Sequence, residues 1–128
     1  MAIDEDAYQQ ELKARDARQK KHDAIVDAAM TRVLEHIRER TPAVASHMFY
    51  GATGIDPQCL VTWYVFQTDA ELAEAKEGGL TKLIDQQTRH ELTAGRYPPE
   101  SVPKMMVSFT TDEDIERTSP GNPWDYFK

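Results

Sequence analysis

The residues of this chain equipped for chemistry are four histidines, one cysteine and several runs of carboxylates. His22, His36, His47 and His90 include no pair at zinc-motif spacing, and His90-Glu91 lacks the second histidine of a metalloprotease helix. A metal site would have to be assembled from distant parts, such as His47, Cys59 and His90. Covalent catalysis needs a nucleophile with a base and an orienting group. Cys59 opens an apolar run and reads as a small core residue, while Ser108 alternates with Val107 and Phe109 as a strand surface residue. Gly51 and Gly54 are followed by no Gly-Lys-Ser/Thr, so they make no phosphate loop. No catalytic residue, metal ligand or cofactor-binding residue is therefore assigned.

What remains is binding chemistry, concentrated in the last quarter of the chain. Asp112, Glu113, Asp114 and Glu116 follow an apolar run at Met105–Thr110, and Thr111 stands where a helix N-cap would be. Acids at a helix start interact favourably with its dipole, which accounts for two of the four. The rest exceed what capping needs. With Asp69, Glu71, Glu74 and Glu77 at the start of an earlier helix, they suggest an acidic face. The calcium-loop spacing is absent. Pro120-Gly121-Asn122-Pro123 has the composition of a rigid turn and presents Trp124, Tyr126 and Phe127. These aromatics either dock on a sheet or act as a hot spot for a partner. Asp112, Glu113, Asp114, Glu116, Asn122 and Trp124 are the candidate partner-binding residues.

The charge distribution agrees with that choice. The formal charge is −7 over 128 residues. Residues 1–40 hold nine acids against eight bases, and residues 41–128 hold thirteen against seven. An acidic body disfavours nucleic-acid phosphates and favours a basic protein. No apolar stretch approaches the length of a membrane helix, and the acidic N-terminus does not read as a secretion signal. A lone cysteine fits a reducing cytoplasm.

These residues need elements to position them. Asp4 to Lys21 is almost entirely polar, and Glu11/Arg15 and Asp16/Lys20 stand at the i,i+4 spacing of an exposed helix. From Ala24, Val26, Met30, Val33 and Ile37 form an apolar stripe, and Thr41-Pro42 stops the helix. Composition thus divides the chain into a polar helical extension at 1–23, able to serve as a dimerisation arm, and a single domain at 24–128. Val44–Tyr50 alternates as a strand, and Cys59–Gln67 is a strand apolar on both faces. Thr68-Asp69-Ala70-Glu71 is a capping box, Gly78-Gly79 predicts a kink or break, and Gly95 suits the C′ position. Lys104–Thr110 makes a third strand, Thr111 caps a short helix, and Trp124–Phe127 could add a fourth strand.

The fold class is α+β: a small mixed sheet with helices mainly on one face and a long N-terminal helix. The first two strands form a hairpin, and a helical crossover makes the second and third parallel. The economical arrangement puts strand one between them, with strand two at an edge. Val33, Ile37, Val61, Trp63, Val65, Leu83, Ile84 and Val107 are the expected core.

In format the chain resembles the small immunity proteins of bacterial polymorphic-toxin systems, which are short, acidic, cysteine-poor α+β domains without a catalytic motif. Its tail, with Tyr97-Pro98, Val107-x-Phe109 and Gly121-Asn122-x-Trp124, is also similar to small uncharacterised bacterial domains. The resemblance implies a non-enzymatic domain that neutralises a basic toxin through acidic residues 112–116. Two other readings stand beside it. One is a small enzyme with a pocket between sheet and helices, using His47 or His90 with nearby acids. The other is a homodimeric structural or regulatory module joined through the N-terminal helix.

Overall fold

The computed structural model describes residues 4–127. Asp4 caps the first helix, α1 (Glu5–His36), its carboxylate accepting from the Asp6 and Ala7 amides at 3.0 and 3.3 Å. At 1.5 Å per residue this unbroken helix is about 48 Å long. It ends six residues before Pro42, through turns at 37–40. Val26, Ala29, Met30 and Val33 form its buried stripe and Ile37 continues it.

Three strands follow, β1 (Ser46–Tyr50), β2 (Val61–Phe66) and β3 (Met106–Thr111). β1 pairs antiparallel with β2 and β2 pairs parallel with β3, so the order is β1-β2-β3. This corrects the expected order, which put strand one in the centre. The reason lies in β2 itself. Thr62, Tyr64 and Phe66 are fully buried on one face, and Val61, Trp63 and Val65 are half-buried or buried on the other. An edge position would have left that doubly apolar strand unpaired on one side. β1, with Ser46, His47 and Tyr50 exposed, takes the edge.

Between β2 and β3 run α2 (Asp69–Glu77) and α3 (Leu80–Ala94). The break falls at the two glycines, where Gly79 adopts φ +81, a left-handed conformation that β-carbon-bearing residues resist. Thr68 Oγ1 accepts from the Glu71 amide at 3.1 Å, and the Glu71 carboxylate reaches back to the Gln67 amide. At the far end the left-handed residue is Arg96 (φ 66), not Gly95. Tyr97 N–H bonds to Leu92 O and Arg96 N–H to Thr93 O, a Schellman closure with Gly95 as the last helical cap. Glycine at 95 serves packing instead: a Cβ there would lie 3.1 Å from Ile25 Cγ2 on α1.

α1, α2 and α3 cover the face of the sheet bearing Tyr64 and Phe66, and the core there also takes Leu60, Ile84, Leu92, Tyr97 and Met105. Of the expected core, Val33, Ile37, Val65 and Ile84 are buried. Val61, Trp63, Leu83 and Val107 are half-buried. Leu83 lies on the flank of α3 beside the inward-facing Ile84, and Val61 and Trp63 face the less covered side.

Packing of α1 starts before residue 24, where composition drew the boundary. Arg18 Nε donates to Gly54 O at 3.0 Å, and Gln19 bonds both Gly51 O and the Gly54 amide. His22 is buried, its Nδ1 3.0 Å from Thr53 O and its ring 5.2 Å from that of Tyr97. A Cβ at Gly54 would stand 2.5 Å from Arg15 O, so glycine lets the loop approach the helix this closely.

The tail corrects a further expectation. After α4 (Asp112–Thr118) the chain forms a short helix, α5 (Pro123–Tyr126), and no fourth strand appears among the described residues. Proline at the first helical position is preorganised for a helix start and cannot donate to a sheet ladder.

Candidate functional site

The start of α4 is a junction of three elements. Thr111 Oγ1 accepts from the Asp114 amide at 2.9 Å, as an N-cap does, and donates to Asp69 Oδ1 at 2.6 Å. Glu113 Oε1 accepts from the Asp69 amide at 2.8 Å, so it caps α2 rather than its own helix. Arg117 spans both helix starts, its guanidinium donating to Asp69 Oδ2 at 2.9 Å and to Asp114 Oδ1 at 2.7 Å. Tyr126 OH donates to Asp114 Oδ2 at 2.6 Å. Its single proton being used there, the 2.7 Å contact with Thr110 has the threonine as donor.

The charges respond accordingly. Asp114 is held below the usual carboxylate range by the Tyr126 hydroxyl and then by Arg117. Asp69 is lowered by the Thr111 hydroxyl and then by Arg117. Burial, reinforced by the neighbouring Asp114 carboxylate, raises the Tyr126 phenol. Two of the four candidate acids are therefore engaged inside the protein. Glu113 and Asp114 fasten the tail and α2 to the end of β3.

Asp112 and Glu116 stand elsewhere. With Ile115 they lie at i, i+3 and i+4 on one face of α4, and that face borders a groove of about 490 Å³. Met48 and Val65 contribute from the sheet, and Phe127 and Trp124 from the tail. The tail is seated by aromatic contacts: the ring of Trp63 lies 5.3 Å from Phe127 and 6.1 Å from Tyr126, both edge-on. Trp124, one turn away, is 70% exposed and forms part of the groove wall. Asn122 does not line the groove, and its amide donates to Asp125 Oδ2 at 3.0 Å within the turn.

Of six residues nominated from sequence, the structure thus brings Asp112, Glu116 and Trp124 together and turns Glu113, Asp114 and Asn122 to other contacts. Sequence reasoning missed Ser46, Met48 and Val65 as groove residues and named His47 in the alternative enzyme reading alone. The alternation of Ser46 and Met48 was visible, but not the helix that would cross that face.

Of the other reactive residues, His47 borders the groove with Asp112 and Glu116, while Cys59 and His90 lie outside its lining. Cys59 lies exposed in a 3₁₀ turn at Pro57–Cys59, which corrects its reading as a core residue. His47 and His90 are exposed on β1 and α3. No group of three or more His, Cys, Asp or Glu among the described residues is placed to hold a metal ion. No helix among them is long and apolar enough to cross a membrane. No family model, curated protein or solved structure matches the chain.

Proposed function

We propose that this protein is a non-enzymatic binding domain that receives a basic protein in the groove between β1, α4 and α5. The observation that carries this reading is the convergence of Asp112, Glu116 and the exposed Trp124 on one cavity with an apolar floor. A lysine or arginine of the partner can lay its aliphatic stem on Met48 and Val65 while its head meets the two carboxylates. Trp124 adds a cation–π face and apolar area. The negative balance of residues 41–128 supplies long-range attraction to the same kind of partner.

The finer reading, which rests on the format resemblance, is that the partner is a toxin and the domain neutralises it in a reducing cytoplasm. Co-expression of the partner with this chain tests that directly, by rescue of growth. The binding reading is tested by association kinetics against the co-purified partner at low and high salt. Asp112→Lys with Glu116→Lys should slow association and flatten its salt dependence, whereas Glu74→Lys on the exposed face of α2 should do much less. Equal effects of the two changes would reduce the groove acids to general surface charge and reject the reading.

A further inference from the structure

We propose that the groove takes its partner as an extended strand added to the free edge of β1, with a basic side chain directed between Asp112 and Glu116. This rests on the groove reading above and specifies the form of the ligand. Among the described residues β1 pairs in the sheet with β2 alone, so alternate main-chain N–H and C=O groups of Ser46–Tyr50 face away from the sheet. Exposed edges are usually guarded by charged side chains or proline. The segment Ser46-His47-Met48-Phe49-Tyr50 contains neither.

The groove and the edge are continuous. Alternation puts Ser46 and Met48 on the tail-facing side, in register with Val65 and Trp63. His47 pairs with Tyr64, whose side chain points the other way, under the helices. A groove bordered by Ser46, His47 and Met48 together therefore reaches the strand's main chain and open edge, not the sheet face alone. A strand laid there would gain main-chain hydrogen bonds, and every second side chain would enter the groove. Charge selects the occupant. A second copy of this chain would bring another −7 charge and another Asp112/Glu116 pair to the same edge. A basic strand neutralises them.

The test uses a capped peptide of alternating lysine and valine, titrated into the full-length, isotope-labelled protein. Two further versions carry N-methyl groups on the odd or on the even amides. Methylation removes peptide donors without touching the protein, so no folding defect can intrude. The expected result has three parts. The plain peptide shifts and protects the Ser46–Tyr50 amides. Asp112→Lys with Glu116→Lys weakens it by about tenfold or more. One methylated series loses about tenfold in affinity while the other binds nearly as well, because only alternate amides face the strand. Binding that depends on the two acids but treats both methylated series alike keeps the groove reading and overturns strand addition. Binding that ignores the two acids, or no binding at millimolar peptide, overturns both. A dimer by light scattering that protects the same β1 amides without peptide assigns the edge to a second copy and overturns the proposal.

Discussion

Replacing Thr88 by valine probes a polar relay sealed beneath the sheet. The Tyr64 hydroxyl lies 2.8 Å from Thr88 Oγ1, which in turn donates to Ile84 O at 2.7 Å. Thr88 has one hydroxyl proton, so Tyr64 is the donor to Thr88. Both residues are completely buried. Valine keeps the shape of threonine, and Ile84 O retains its helical partner, so the main casualty is the phenolic O–H left without an acceptor. A buried neutral donor in that state costs about 1–3 kcal/mol. Tyr64→Phe removes the donor itself and leaves Thr88 bonded to Ile84, for a loss of about 1 kcal/mol. The double variant should then be little worse than Tyr64→Phe alone, a coupling of about 1–3 kcal/mol. Urea denaturation of the four proteins, with equal m-values, measures it. A second readout is alkaline. Burial pushes the Tyr64 phenol up to about 12 from an ordinary 10. Between those values the unfolded chain releases this proton and the folded chain retains it, so stability is full below pH 10 and falls as pH rises toward 12. The size is on the order of 3 kcal/mol over the window. Tyr97, also raised to about 12 by burial, contributes a parallel loss. Tyr64→Phe should therefore reduce the alkaline slope without abolishing it. Additive single-mutant effects, or an unchanged slope, would refute the relay.

Four other outcomes are expected. Ile84→Ala should cost about 2–5 kcal/mol by chemical denaturation, and Leu83→Ala clearly less, because only Ile84 is sealed in the core; the reverse ranking would show that α3 is rotated. Gly54→Ala forces a Cβ against Arg15 O and should cost about 1–3 kcal/mol, with faster hydrogen exchange in α1 around residues 15–22. Deletion of residues 1–13 removes none of those contacts and should leave the melting temperature nearly unchanged; substantial loss there would reassign the arm to the core. Acidification should release the tail only below the usual carboxylate range. Asp69 and Asp114 ionise at depressed pH in the folded state, so their contribution is present above the ordinary carboxylate pKa and lost as pH falls through the lowered values. Trp63 fluorescence in a Trp124→Phe background follows this, and release already complete near pH 4.5 would contradict the hold of Tyr126, Thr111 and Arg117 on these carboxylates.

Much of the local structure was legible because it depends on residues near in sequence. The Thr68 and Thr111 caps, the break at Gly78-Gly79 and the apolar stripe of α1 follow from short-range hydrogen bonding and helical spacing. So does the α+β class. Gly95 was misjudged because its role is a long-range one, the approach of Ile25, while Arg96 supplies the left-handed turn.

Sequence alone therefore determined the three strands and the helices from α1 to α4, though not the tail helix α5, and it determined that Asp112, Glu116 and Trp124 belong to an acidic, aromatic end of the chain. Tertiary structure decided the rest. Strand order depends on which strand gains most from burial on both faces, a comparison between elements rather than a property of one, and it put β2 in the centre and β1 at the edge. The fate of each acid depended on what packed beside it: Arg117, Tyr126 and the α2 amide engaged Asp114 and Glu113, and the tail helix crossing the sheet left Asp112 and Glu116 on a groove. Such choices are made by contacts between residues tens of positions apart, whose energies exist only once the chain has closed around its core.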